Sequence, residues 1–268
     1  MTRVLSGAVL GGIVLAIVWY APPIASLILS IVALVLAAKE ITDLARASGI
    51  NVSLWLSAAA AFTTLVALGA PAFDSGAGSA LLPIVLMAQL VALLAAAIAA
   101  WPPGSRDALA TVSVALFPSW YVAVPLGALV AIRAVEGATP LLLLILTVVA
   151  SDTAQYYTGR LTGRHLLAPA ISPKKTIEGA IGGVVFGTLV FALVGGWWLG
   201  RVPVALRVIV GVAIVLAGIA GDLFESMLKR SAGVKDSSSL IPGHGGVLDR
   251  IDALLFAAPV YYIVLRYV

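Results

Sequence analysis

The chain has 268 residues, of which 62% are hydrophobic and only 10% are charged, and it contains no cysteine. A water-soluble domain is typically about one-quarter charged and about half apolar, so this composition excludes a soluble enzyme, a secreted domain and a disordered protein. The absence of cysteine excludes disulfides, iron–sulfur clusters, thiolate zinc sites and a cysteine nucleophile. The mean hydropathy of +1.12 predicts a membrane protein with several spans, and the formal charge of +4 makes the placement of its basic residues informative.

Nine apolar runs have the length, about 17 to 25 residues, at which a helix crosses a bilayer. They cover residues 4–20, 22–38, 52–70, 80–100, 109–132, 139–157, 177–199, 203–228 and 250–267. Pro22 and Pro23 divide the first long apolar stretch, because proline cannot continue a helix. A second span follows the first at once without an A-x-A site, so we expect that the first is not a removable signal peptide. The predicted fold is an all-α polytopic membrane protein.

The basic residues predict the orientation of these spans. With nine spans, twelve of the sixteen Lys and Arg residues fall on one side of the membrane. Cytoplasmic loops are enriched in Lys and Arg, so we expect a cytoplasmic N-terminus and a C-terminus outside.

We interpret the chain as a single membrane domain, 1–268, in which residues 1–150 are mainly scaffold helices and residues 151–268 are the catalytic half. Within the scaffold, residues 39–47 (KEITDLARA) form a short amphipathic stretch. One interpretation is a segment that lies at the membrane interface, and the favoured one is a solvated connector without chemistry. In the catalytic half, segments 151–183 and 218–252 hold seven of the twelve acidic residues, eight of the sixteen basic residues and both histidines. Such a concentration of charge at one face indicates an ionic or phosphorylated ligand.

The carboxylates of the second segment form two sets on predicted helices. Asp222, Glu225 or Ser226, and Lys229 share one helix face, and Asp249 and Asp252 share another, because positions three, four and seven apart align. Several carboxylates without cysteine suit a hard cation such as Mg²⁺. The alternative is that these acids only form structural ion pairs with the neighbouring basic residues, Lys229, Arg230 and Arg250.

The loop 229–246 lies between the two carboxylate sets and contains three basic residues, the serine run 237–239 and the sequence PGHGG. Glycines let a backbone approach phosphate oxygens closely, and Lys and Arg add charge-assisted hydrogen bonds. The combination favours a nucleoside triphosphate with its metal. His244 is a candidate phosphate donor, and a purely structural role is its alternative.

Residues 172–176 (SPKKT) form a second cationic loop, whose alternative explanation is the positive-inside signal alone. Asp152 lies deeper in a predicted span. It is either a metal ligand or base, or a hydrogen-bonding partner of Tyr156, Tyr157 or a neighbouring helix. We interpret His165 as an interfacial residue.

Residues 226–252 resemble the signature of the phosphatidate cytidylyltransferases, or CDP-diacylglycerol synthases. The pattern S-x-x-K-R-x4-K-D-…-P-x-H-G-G-x-x-D-R-x-D is met at Ser226, Lys229, Arg230, Lys235, Asp236, Pro242, His244, Gly245, Gly246, Asp249, Arg250 and Asp252. The stretches 221–226 (GDLFES) and 172–179 (SPKKTIEG), and Asp152 with the following Gly-Arg pairs, are also similar to this family. The resemblance covers about residues 150–268.

The resemblance implies transfer of a cytidylyl group from CTP to phosphatidic acid, giving CDP-diacylglycerol and pyrophosphate. It also implies Mg²⁺, a second cation for which K⁺ is a candidate, and a homodimer in the bacterial inner membrane with its active site at the cytoplasmic side. No nucleic acid is expected as a partner. The expected catalytic residues are Asp222, Lys229, Asp249 and Asp252. The expected metal ligands are Asp222 and Asp249, with Asp152 and Asp252 as further candidates. The expected substrate-binding residues are Ser172, Lys174, Lys175, Thr176, Ser226, Arg230, Lys235, Asp236, His244, Gly245, Gly246 and Arg250.

Two alternatives of other kinds remain open from the sequence. A transporter places ionisable groups at the bilayer midplane between repeated halves, whereas here the charge lies at one face of one half. A CTP-dependent lipid or polyprenol kinase uses similar ions on another acceptor, and its products would be a phospholipid and CDP.

Overall fold

The computed structural model describes residues 2–70, 78–99, 108–199, 202–238, 240 and 245–267. The helices are α1 (Thr2–Tyr20), α2 (Pro23–Ala47), α3 (Leu54–Gly69), α4 (Gly78–Ala99), α5 (Ala108–Pro118), a π-helical turn (Ser119–Ala123), α6 (Val124–Val135), α7 (Ala138–Thr162), α8 (Ile177–Trp198), α9 (Val204–Ser231) and α10 (Leu248–Tyr267). Two short strands, β1 (Leu166–Ala168) and β2 (Ser172–Thr176), pair antiparallel between α7 and α8.

The predicted all-helical class is confirmed, since each of the nine apolar runs coincides with a helix once α5, the π turn and α6 are counted as one. Within the described residues, five helices are long and apolar enough to cross a membrane: Pro23–Ala47, Ala108–Val135, Ala138–Thr162, Ile177–Trp198 and Val204–Ser231. The full count of nine spans and the orientation stay predictions.

Two local predictions are wrong. Residues 39–47 are the last turns of α2 rather than a separate connector, because no helix-breaking residue interrupts the chain before Gly49. Residues 172–176 form a strand rather than a loop, because Leu166 and Thr176 lie opposite one another in a hairpin.

The described chain divides into two compact units. The first comprises Met1–Val135 and Ser231–Leu248. Here α3 packs against α2, α4 and α6, and Gly69 gives the room for contact with Leu27 and Val130. The guanidinium of Arg133 donates to the carbonyl oxygens of Val18 and Ala21, both at 2.8 Å, which satisfies carbonyls at the end of α1 that have no partner within their own helix.

The second unit comprises Glu136–Arg230 and Asp249–Val268. Its α7 and α8 lie in close contact, because Gly179, Gly183 and Gly187 repeat every fourth residue on the face of α8 that meets α7. Small residues at this spacing let two apolar helices approach closely. The ring of Tyr261 on α10 meets that of Phe191 on α8 edge to face, with centroids 5.6 Å apart, so α10 packs on the same core.

Candidate active site

The polar residues of the second unit are positioned by a hairpin whose base is firmly held. Glu178, in the first turn of α8, accepts hydrogen bonds from the backbone N–H groups of Arg164 and His165 at 3.0 and 3.2 Å. Its other oxygen lies 2.6 Å from Nδ1 of His165. Thr176 caps α8 by accepting a hydrogen bond from the N–H of Gly179 at 3.1 Å. These contacts fix β2 against the start of α8.

The hairpin delivers Lys175 to α9. Nζ of Lys175 lies 2.5 Å from Oδ2 of Asp222. Ser226, one turn further along α9, donates to the other oxygen of Asp222 at 3.5 Å. Asp222, which we predicted to be a metal ligand, therefore lies beside a lysine that we predicted to bind substrate.

Two further carboxylates belong to the same neighbourhood. Asp152 on α7 and Asp252 on α10 each interact electrostatically with both Asp222 and Lys175. Gly221 makes the approach of α9 to α10 possible, since a Cβ there would overlap the carbonyl oxygen of Asp252. We call Asp152, Lys175, Asp222 and Asp252 the Asp222 cluster. Three carboxylates within it face one ammonium.

A second ionic group, the Lys229 cluster, consists of Glu225, Lys229 and Asp249. Nζ of Lys229 lies 2.5 Å from Oδ1 of Asp249 and forms an ion pair with Glu225, one turn earlier on α9. Glu225 is fully buried, and Lys229 is 9% exposed. The structural ion pair that we considered as an alternative therefore exists between Lys229 and Asp249, and Asp222 and Asp249 have different lysine partners.

The other predicted site residues have varied positions. Lys174, Lys235, Asp236 and Arg250 are exposed. Ser172 lies opposite Ala168 in the hairpin, and Nε of Arg230 donates to the carbonyl oxygen of Ile171 at 3.3 Å. His244 lies outside the described residues.

Two acidic residues, Glu225 and Glu40, are absent from the predicted site residues. Glu225 was seen only as one option on the Asp222 face, although its spacing of four from Lys229 signals an ion pair. Glu40 was assigned to a connector, but it is 2% exposed and accepts hydrogen bonds from the segment 237–248 of the first unit. No local pattern around Glu40 signals a contact so distant in sequence.

The second unit thus gathers four aspartates, one glutamate and two lysines from the C-terminal halves of α7 and α9, the hairpin and the start of α10. Carboxylates with closely placed ammonium groups can hold a cation and polyanionic phosphates. The ammonium groups would neutralise phosphate charge, and the aspartates would contribute hard oxygen ligands.

Comparison with known proteins gives this arrangement a context. The chain matches the Cytidylyltransferase family over residues 1–268. It is 42% identical over 127 residues to a phosphatidate cytidylyltransferase of Aquifex aeolicus, covering 47% of this chain and 46% of the relative. It is 47% identical over 126 residues to a phosphatidate cytidylyltransferase of Haemophilus influenzae, covering 45% and 43%. It is also 42% identical over 134 residues to the uncharacterized protein YnbB of Escherichia coli, covering 50% and 45%.

The aligned part spans about half the length of these curated relatives. The family match, in contrast, extends over the whole chain, and it confirms the family predicted from the signature. The chain belongs to the Cytidylyltransferase family.

Proposed function

We propose that this protein is a phosphatidate cytidylyltransferase of phospholipid biosynthesis. In the proposed reaction, a phosphate oxygen of phosphatidic acid forms a bond to the α-phosphorus of CTP. The bond from that phosphorus to the oxygen bridging to the β-phosphate breaks, and pyrophosphate leaves with the electron pair. CDP-diacylglycerol is the lipid product. Attack and departure in line leave little covalent chemistry to the protein, so positioning and charge neutralisation dominate.

The observation that carries the proposal is the contact between Lys175 and Asp222 in a chain of this family. It joins the SPKKT segment to the aspartate of the GDLFES segment at 2.5 Å. Asp222 lies in the C-terminal half of α9, a helix that is long and apolar enough to cross a membrane and that has Lys229 and Arg230 in its last turn, as at a membrane boundary. A lipid headgroup and a water-soluble triphosphate meet at such a boundary, so the place suits both substrates.

The residues fit a divalent cation. In the Asp222 cluster, three carboxylates share one lysine and would repel one another when ionised, so an added cation would be stabilised there. Among the described residues, no three acidic or histidine side chains converge as a complete metal-ligand set. Mg²⁺ commonly keeps several waters and is held by one or two carboxylates together with substrate phosphates, so the incomplete protein set suits a cation that is completed by CTP.

Asp222 and Asp249 would hold Mg²⁺, with Asp152 and Asp252 as further candidates, and a second cation such as K⁺ stays a prediction. When bound, Mg²⁺ would neutralise charge on the phosphoryl oxygens. Lys229, Arg230 and Lys235 would neutralise the triphosphate. Lys174 and Lys175 would hold phosphatidate or the leaving pyrophosphate. The other predicted substrate-binding residues, His244 among them, are proposed to bind substrate as well.

The cellular setting is proposed as well. Most basic residues of the second unit lie at the end of α7, in the hairpin, at the end of α9 and at the start of α10. Arg207 is an exception, because it lies near the start of α9, where it donates to the carbonyl oxygen of Ala192 at 2.7 Å. The positive-inside rule then favours a cytoplasmic site in a bacterial inner membrane. A homodimer is part of this proposal, and light scattering of the detergent complex would measure it.

The deciding experiment is an assay of the purified chain in detergent with CTP and phosphatidic acid, with and without Mg²⁺. CDP-diacylglycerol and pyrophosphate in equal amounts are expected, and Asp222→Asn is expected to lower the rate of their formation strongly. Asp43→Asn is the matched control, because the side chain of Asp43 is 41% exposed and forms ion pairs with Lys39 and Arg46. A phosphorylated lipid with CDP would indicate a kinase, and CTP-independent flux of a phosphorylated solute into proteoliposomes would indicate a transporter.

A further inference from the structure

Glu40, near the end of α2, binds both ends of one loop. Its Oε2 accepts hydrogen bonds from the hydroxyl of Ser237 at 2.8 Å and the backbone N–H of Leu248 at 2.9 Å. Its Oε1 accepts from the hydroxyl of Ser238 and the backbone N–H of Val247, both at 2.8 Å. The four donors all come from the segment 237–248, which we call the signature loop.

The contact compensates the burial of a carboxylate. A carboxylate removed from water is tolerated only when its oxygens accept hydrogen bonds, and Glu40 is 2% exposed. Leu248 is the first residue of α10, and N–H groups at the start of a helix have no acceptor in their own helix. Glu40 on α2 therefore provides an acceptor for the N–H of Leu248 at the start of α10, and its negative charge is the sign that the helix dipole favours there.

Gly246 gives the contact an independent signature in the sequence. A Cβ at position 246 would overlap the hydroxyl of Ser237 and the carboxylate of Glu40. The last glycine of the GHGG sequence, Gly246, is thus required by the approach of the loop backbone to Glu40. The glycine before it, Gly245, has a φ of +79°, a conformation that residues with a side chain rarely adopt.

We infer that Glu40 is a positioning residue that clasps the two ends of the signature loop and so holds the backbone of Gly245 and Gly246 in place. This inference rests on the proposed function, in which the loop region contributes to CTP binding. Glu40 is 2% exposed and both of its oxygens accept hydrogen bonds from the loop, so its proposed role is to hold the loop rather than to contact substrate. In this proposal, Glu40 supports CTP binding by holding Ser237 and Ser238 at one end of the loop and the start of α10 at the other.

Glu40→Gln tests the clasp with little change of volume. Whichever oxygen becomes the amide nitrogen, one serine hydroxyl and one backbone N–H lose their acceptor. We expect the loop to become more mobile and KM for CTP to rise about tenfold or more, in line with the loss of buried hydrogen bonds to a charged group. KM for phosphatidic acid should change much less.

The absence of cysteine from the chain permits a direct measurement of the loop. Leu240 is 53% exposed, so Leu240→Cys gives a position for a nitroxide spin label. The spectrum of the labelled protein is compared with that of the same labelled protein carrying Glu40→Gln. Asp43→Asn, on the same helix, is the matched control and should leave the spectrum unchanged. Gly246→Ala is a second variant that should also make the loop more mobile. It tests the clasp if Glu40→Gln does not fold.

An unchanged nitroxide spectrum in both variants would overturn the clasp. A more mobile loop with an unchanged KM for CTP would overturn the positioning role. The nitroxide spectrum can be measured without substrate. If the variants make the loop more mobile but the wild-type protein transfers no cytidylyl group, the proposed function is overturned and the clasp stands.

Discussion

The ammonium of Lys229 lies 2.5 Å from a carboxylate oxygen of Asp249 and also pairs with Glu225. One cation thus serves two buried carboxylates contributed by α9 and α10. Removal of the lysine leaves two acids without their shared partner, whereas removal of one acid leaves a balanced pair. The two changes should therefore differ strongly in their cost.

Lys229→Met is expected to destabilise the folded chain by about 3–5 kcal/mol, the usual cost of leaving a buried charge uncompensated. Glu225→Gln should cost less, about 1–3 kcal/mol, because Lys229 keeps Asp249. The double variant should be less destabilised than the sum of the single ones. Unfolding in detergent, followed by the fluorescence of the six tryptophans, measures all three.

Lys39→Met is the matched control, since Lys39 pairs with Asp43 at the surface, where the Lys39 side chain is 58% exposed. Exposed pairs contribute about 0–1 kcal/mol. If the Lys39 and Lys229 variants unfolded alike, the Lys229 cluster would have no special part in stability.

Adjacent lysines of the hairpin should differ in their effect on turnover. Lys175 faces Asp222, whereas Lys174 is exposed. Lys175→Gln is expected to lower kcat by about 10²–10³-fold, the scale of losing one preorganised electrostatic group. Lys174→Gln should mainly raise KM. Initial rates of CDP-diacylglycerol formation at varied substrate distinguish the two, and equal effects on kcat would contradict the assignment of Lys175 to the reacting centre.

Much of the fold follows from local sequence. Apolar length predicts the helices, and Pro22 and Pro23 mark the break between α1 and α2 because their effect on the backbone is local. The pairing of the SPKKT strand was missed, since a five-residue cationic segment has no apolar alternation and gains its partner only in the hairpin.

The candidate site follows from sequence only in part. Spacing along one helix foresees that Glu225 and Lys229 share a face. It gives no means of pairing Lys175 with Asp222 or Glu40 with Leu248, because these contacts join residues far apart in the chain. The motif thus indicates candidate site residues, whereas helix packing decides which lysine faces which carboxylate.

The glycine face of α8 should be intolerant of side chains. A Cβ at position 183 would overlap the side chain of Gln155 on α7, so Gly183→Ala should destabilise the chain by about 1–3 kcal/mol through overpacking. Gly12→Ala, where an added Cβ meets no atom within 4 Å, should be close to neutral. Unfolding in the same detergent compares them. A neutral Gly183→Ala would show that α7 and α8 are not held at this contact.

Asp222→Asn and Asp249→Asn should both lower activity but should differ in stability and in their Mg²⁺ requirement. Asp222 shares its surroundings with Asp152 and Asp252, so its replacement relieves repulsion and should leave the fold stable. Asp249 is a partner of buried Lys229, so its replacement should also lower the unfolding temperature.

The measurement is a Mg²⁺ titration of residual activity beside an unfolding scan of each variant. For Asp222→Asn we expect a higher Mg²⁺ concentration at half-maximal rate, because one oxygen ligand loses its charge. Asp43→Asn serves as control for the removal of a carboxylate elsewhere. An unchanged Mg²⁺ requirement in Asp222→Asn, with near-normal turnover, would remove Asp222 from the proposed metal site and leave its contact with Lys175 as a structural ion pair.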